Sequence, residues 1–242
     1  MRFIFFTILP ALLFIFHFDK AKAQNETGIS STSLQFTKIY FQNEIKGDAH
    51  LYTGEAYAKY DPGVKGDPFY LFNQMQNGDI FYDDVLYKNI PLLFDIVRQK
   101  VIINRYHDDT RIQLLNEKIK YFTLGNHRFE NFAQASGKDG SISKDIFEVV
   151  FTGKASILAQ RVKTIKHGLQ ADDPYNFAED DVLYVRNGNN LFQINNRKAV
   201  LPAFDDKKEL IKIFIRKKHL RFKKNIEKDL VMVAAYYDTL NK

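Results

Sequence analysis

Between Asn77 and Tyr106 the chain reads NGDIFYDDVLYKNIPLLFDIVRQKVIINRY, four apolar runs laid end to end. The runs are residues 80–82, 85–87, 90–97 and 100–106, separated only by Asp83-Asp84, Lys88-Asn89 and Arg98-Gln99. Aromatic and β-branched side chains dominate them, which suits a pleated, half-buried surface. Gaps this short leave no room for a crossover helix, so neighbouring strands must run antiparallel. The stretch predicts a β-meander. Within its third run Leu92, Phe94 and Ile96 share one face, while Leu93, Asp95 and Val97 share the other. Both faces are partly apolar, so each needs a cover.

The first 23 residues have a different character. Arg2 is followed by an apolar core over residues 3–18, and Ala21-Lys22-Ala23 matches the small-x-small pattern of a cleaved export signal. The apolar segment is short for a membrane span and is closely followed by Asp19 and Lys20. The expectation is export, with Gln24 as the new terminus and no transmembrane span after cleavage. The resulting location is periplasmic, outer-membrane associated or secreted. The chain has no cysteine, which removes disulfides, thiol catalysis and thiolate metal sites together. Stability must come from an apolar core, for which the 29 Phe and Tyr that follow the leader supply large side chains.

Residues 24–33 (QNETGISSTS) are polar and aperiodic and read as a tether. Strand patterns begin at Leu34 and return, less cleanly, over residues 50–60, where Gly54 suggests a bulge. Residues 61–68 (DPGVKGDP) form a loop; the chain there lacks the Gly-Lys-Ser/Thr ending that a phosphate loop needs. Beyond the meander, residues 111–115, 118–124 and 127–132 continue as strands, with Gly125-Asn126 as a hairpin turn. Residues 134–145 and 167–181 read as loops, the second rich in acid. Residues 146–151 pair with 155–165, and 182–185 with 191–194 around a turn signalled by Asn187-Gly188.

Past Pro202 the period changes to helical. Asp206 with Glu209 resembles a capping box, and Leu210, Ile211, Phe214 and Ile215 form an apolar arc. Asn225 stands at the cap of a second helix whose stripe is Ile226, Leu230, Val233, Tyr237 and Leu240. The predicted fold is therefore mainly β (α+β): an antiparallel meander forming a curved sheet or open barrel over residues 34–204. A C-terminal amphipathic helical pair over residues 205–242 packs on it.

Certain residues resemble a known group. Tyr87-Lys88-Asn89-Ile90-Pro91-Leu92-Leu93-Phe94-Asp95 resembles a segment of uncharacterised secreted proteins common in Bacteroidota. So do Phe214-Ile215-Arg216-Lys217, Leu220-Arg221-Phe222 and Ala235-Tyr236-Tyr237-Asp238. The resemblance spans most of the chain after the leader. It implies an exported bacterial protein and brings no activity and no catalytic residue.

The remaining chemistry is sparse. His107-Asp108-Asp109 lies in a link between two strands, where imidazole and carboxylate suit a metal or a general base but turns favour Asp for backbone reasons alone. Asp172-Asp173 and Glu179-Asp180-Asp181 offer oxygen ligands for Ca²⁺ without EF-hand spacing. No catalytic residue, metal site or cofactor is assigned. Charge is more telling: residues 205–242 hold eleven Lys/Arg against six Asp/Glu, although the whole chain is only +6. Lys208, Lys212, Arg216, Lys217, Lys218, Arg221, Lys223 and Lys224 form the candidate binding surface. Two readings stand: a solvated face, or contact with an anionic envelope lipid, polysaccharide or another envelope protein. Nucleic acid is not expected, since export removes the usual partner and no recognition motif accompanies the charge. The functional expectation is a non-enzymatic envelope protein, with a glycan-acting hydrolase or a carrier of an apolar ligand as rivals.

Overall fold

The computed structural model describes residues 50–105, 110–135, 142–168 and 174–240. The leader, the tether, the strand pattern from Leu34, His107-Asp108-Asp109 and Asp172-Asp173 lie outside the described residues.

The meander forms as expected and lies within a larger sheet. β2 (Gln76–Tyr82), β3 (Val85–Asp95) and β4 (Lys100–Asn104) pair antiparallel in succession. They continue on one side into β5 (Arg111–Gln113) and β1 (Glu55–Ala56). On the other side follow β6 (Ile119–Leu124), β7 (His127–Ala135), β8 (Ile142–Phe151) and β9 (Ala155–Gln160). β12 (Val182–Asn187) and β13 (Asn190–Gln193) complete a sheet of 11 strands, open at β1 and β13. β10 (Lys163–Lys166) and β11 (Asn176–Glu179) leave the sheet as a separate hairpin.

Several local expectations are corrected. Lys88-Asn89 is not a turn: β3 runs through it. Asp79 opposes both residues at a register shift, Asn89 takes a positive φ, and its N–H donates to Asp79 Oδ1 at 3.0 Å. The two separate runs are one bulged strand. Asp83-Asp84 is a true turn, with positive φ at both residues, a conformation Asp tolerates better than most. Residues 50–60 are not a long strand but a short 3-10 turn, His50–Tyr52, and the two-residue β1. β7 and β8 extend into the expected 134–145 loop, pairing Gln134 with Ser143. β9 ends at Gln160 rather than Ile165, and part of the expected acidic loop is β11. The last hairpin turns at Gly188-Asn189, one residue later than expected, with Asn187 still paired to Asn190. Gly188 supplies the positive φ there.

The two faces of β3 receive different covers. Leu92, Phe94 and Ile96 join a core with Ile80, Val101, Ile103, Phe122 and Phe129. Within it the Phe122 and Phe129 rings stack at 4.8 Å. On the opposite face Leu93 and Ile102 lie under Tyr57 and Phe69, which come from the irregular segment preceding β2. Asp95 is fully buried there, accepting from the hydroxyls of Tyr57 and Tyr60 and from the N–H groups of Val97 and Arg98. This loop cover replaces a helix.

The helices cover the far end of the sheet. α1 (Lys208–Lys217) and α2 (Ile226–Thr239) pack Ile211, Ile215, Leu230, Val233 and Ala234 against Ala155, Ile157 and Val185. Phe214 stacks on Tyr236 at 4.1 Å and joins the two helices. The expected caps are not made. Asp206 lies inside the 3-10 segment Leu201–Lys207, and its carboxylate accepts from the Tyr237 hydroxyl at 3.0 and 3.1 Å. Asn225 holds the cap position of α2 without a side-chain capping bond. The apolar arc of α1 is also narrower than expected, because Leu210 is 44% exposed.

Leu230 is fully buried in this second core. Leu230→Ala is expected to destabilise the fold by about 2–5 kcal/mol. Thermal unfolding checks it: an unchanged melting temperature would show that α2 is not docked.

Candidate functional site

Two clusters of polar chemistry stand out, one buried and one exposed. The buried one begins with Glu148, a charged residue on the helix-side face of β8 between Phe147 and Val149. A buried carboxylate needs compensation. It has it: Arg161 Nε donates to Oε2 at 2.5 Å, the Tyr70 hydroxyl donates to Oε2 at 3.0 Å, and His127 Nδ1 lies 2.5 Å from Oε1. An ionised carboxylate only accepts, so the His127 proton sits on Nδ1. Arg161 spends its other nitrogens on Asp181 at 2.7 Å and Glu227 at 2.8 Å. One guanidinium thus joins β8, the link between β11 and β12, and the first turn of α2.

A His–carboxylate pair flanked by Tyr and Arg has the composition of a catalytic group, but its geometry argues otherwise. Every polar atom of Glu148 and Arg161 is already engaged. None of the four side chains lines any of the four principal surface concavities. The cluster is a structural joint. Burial alone would raise the Glu148 carboxyl; the His127 hydrogen bond and the Arg161 charge outweigh it and hold it below its ordinary value. Burial would likewise lower the Arg161 guanidinium, but Asp181, Glu148 and Glu227 raise it instead. Burial and the neighbouring Glu148 push the Tyr70 phenol up, so it stays protonated as a donor.

The linkage has a definite sign. A carboxyl depressed in the folded state stabilises fully above its unfolded value, and loses that contribution as pH falls through the folded one. Glu148→Gln is therefore expected to be less stable than the parent at neutral pH. The gap should shrink as pH falls through and below the ordinary carboxylate range, where the parent's carboxylate is protonated. Urea unfolding across that range measures it; a gap independent of pH would contradict the assignment.

The exposed cluster is the basic segment. All eight sequence-assigned residues are exposed: Lys208, Lys212, Arg216, Lys217, Lys218, Arg221, Lys223 and Lys224. Lys208 and Lys212 make surface ion pairs with Asp205 at 3.7 Å and Glu209 at 3.5 Å, of a kind that contributes little. After α1 the chain alternates: Leu220 and Phe222 are buried, which turns Arg221 and Lys223 outward. His219 and Phe222 both take positive φ, and the Phe222 N–H is held by Asp229 Oδ2 at 2.8 Å. A bulky residue in that region is costly, so the connector is fixed by its anchors.

Arg221 and Lys223 face two residues that sequence reasoning missed. Arg197 and Lys198, in the 3-10 turn Arg197–Ala199 after β13, share with them an open depression of about 540 Å³, completed by Asn196 and Phe222. Its lining holds four cations and no carboxylate. Among the described residues none of the four forms an ion pair. The structure does not bring Lys208, Lys212, Arg216, Lys217, Lys218 or Lys224 into this depression. Arg197-Lys198 is a visible basic pair, but nothing in its spacing connects it to a segment more than twenty residues later.

The other concavities suit the rival readings poorly. The largest, about 920 Å³, lies on the sheet face away from the helices, among Phe132, Phe147, Leu158 and Tyr184. It is open and also lined by Lys154, Ser156, Arg186, Asn189 and Gln193, with no carboxylate. A smaller one of about 290 Å³ includes Asp61 and Asp67. Both carboxylates are occupied by nearby backbone, accepting from Gly63 at 2.7 Å and Phe69 at 2.9 Å. Of the acidic triplet, Glu179 belongs to β11, Asp180 lies 3.7 Å from Lys166, and Asp181 serves Arg161. Among the described residues, no three His, Asp or Glu side chains converge as a metal site. No helix among them is long and apolar enough to cross a membrane.

No protein-family model matches the chain, and neither a curated protein nor a solved structure matches it.

Proposed function

We propose that this is an exported, non-enzymatic envelope protein of the kind found in Bacteroidota, whose basic C-terminal surface binds an anionic envelope component. The observation that carries the reading is the depression shared by Arg197, Lys198, Arg221 and Lys223. Two segments far apart in sequence supply four cations to one concavity with no acidic residue in its lining. A solvated face needs no such convergence, and like charges brought together destabilise the free protein unless a counter-charge arrives. Arginine contributes a planar fork suited to phosphate and carboxylate groups.

Replacing Arg197, Lys198, Arg221 and Lys223 with Gln is expected to weaken binding to anionic vesicles or anionic polysaccharide by a hundredfold or more, on the basis of about 1 kcal/mol per surface cation. Parent binding should fall steeply with salt, because exposed charges are screened beyond about 8 Å at physiological ionic strength. Because these side chains are exposed, the melting temperature should stay close to the parent's. Co-sedimentation at low and high salt decides it: equal binding by parent and variant, or no parent binding at low salt, overturns the reading.

A further inference from the structure

Leu210 and Ile213 are large apolar side chains that the fold leaves uncovered, at 44% and 54% exposure. Neither belongs to the core that Ile211 and Ile215 enter from the same helix. Three residues apart, they are neighbours on the α1 surface. Their surroundings are basic: Arg216 and Lys217 follow Ile213 by three and four positions, and residues 207–218 carry six Lys/Arg against the single acid Glu209. Glu209 is itself paired with Lys212 at 3.5 Å. An apolar pair with Lys207 before it and Arg216 and Lys217 after it at helical spacing matches one kind of surface. Anionic headgroups meet the ammonium and guanidinium groups, and the acyl boundary beneath them takes the apolar side chains. A hydrated polysaccharide offers the charge without the apolar layer.

We propose that α1 docks on an anionic lipid bilayer, lying in the headgroup plane with Leu210 and Ile213 inserted at the acyl boundary. The inference rests on the reading that the basic surface binds an anionic component, and it names that component as lipid. Insertion also separates two contributions: the cations lose attraction as salt rises, and the apolar contacts do not.

The chain contains no tryptophan, so one introduced indole reports on its own position without background. The exported protein carrying Ile213→Trp, with Leu210→Trp as a second reporter, is mixed with vesicles containing phosphatidylglycerol and with vesicles of phosphatidylcholine alone. Melting temperature and circular dichroism confirm that each variant is folded. With phosphatidylglycerol, the emission is expected to move to shorter wavelength and to be quenched by lipids brominated in their acyl chains. The double variant Leu210→Ser/Ile213→Ser should bind these vesicles on the order of tenfold more weakly and bind anionic polysaccharide as the parent does. Vesicle binding with an unshifted, unquenched indole overturns insertion and leaves a charge-only surface. Binding to polysaccharide but not to phosphatidylglycerol vesicles overturns lipid as the partner. Binding to neither overturns both this inference and the reading beneath it.

Discussion

Three parts of the molecule meet through the side chain of Arg161. Its guanidinium holds Glu148 of β8, Asp181 ahead of β12 and Glu227 of α2, and its own side chain is only 12% exposed. A charge this buried is unfavourable alone and acceptable only when fully paired. The pairing therefore fixes geometry as much as it contributes energy: helix, sheet end and the β8 register must all arrive together. Tyr70 and His127 extend the joint to the segment before β2 and to the start of β7. The apolar contacts of Leu230, Val233 and Ala234 provide the bulk attraction of helix to sheet, and the Arg161 joint selects the arrangement in which they form.

The same economy governs the other end of the sheet. β3 is apolar on both faces, and the loop carrying Tyr57, Tyr60 and Phe69 closes the face that the main core leaves open. Asp95 anchors that loop through two tyrosine hydroxyls and two backbone donors. The two carboxylates buried among the described residues, Asp95 and Glu148, are thus committed to holding covers in place. The charges left over, on α1, the connector after it and the Arg197–Ala199 turn, face solvent. This division between charges that hold the fold and charges that face outward is the physical basis for seeking function on the basic surface.

The antiparallel sheet and the terminal helical pair were legible because both write their period into the sequence: alternation along β2–β4, and the stripe Leu230, Val233, Tyr237 along α2. Turns were legible where glycine must appear, as at Gly125 and Gly188, whose φ is positive. The bulge at Lys88-Asn89 was not, because a polar pair interrupts an apolar run in the same way whether it turns the chain or bulges it. Asp206 and Asn225 show the limit of capping motifs: tertiary partners took the Asp206 carboxylate first. Half of the basic depression was visible as Arg221 and Lys223; its other half comes from Arg197 and Lys198, which only the fold brings near. The buried joint left one signal that could have been used. Glu148 sits in the otherwise apolar run of residues 146–151, and such a charge demands a partner, although sequence alone does not say which.

Arg161 and Glu148 act as a coupled pair. A double-mutant cycle with Arg161→Gln, Glu148→Gln and both together, measured by urea unfolding so that salt does not screen the charges, tests this most directly. A coupling of about 1.5 kcal/mol or more is expected, each single change costing much more than it does once its partner is gone. Additive effects, within about 0.5 kcal/mol, would contradict it and show that Arg161 and Glu148 do not act as a joint.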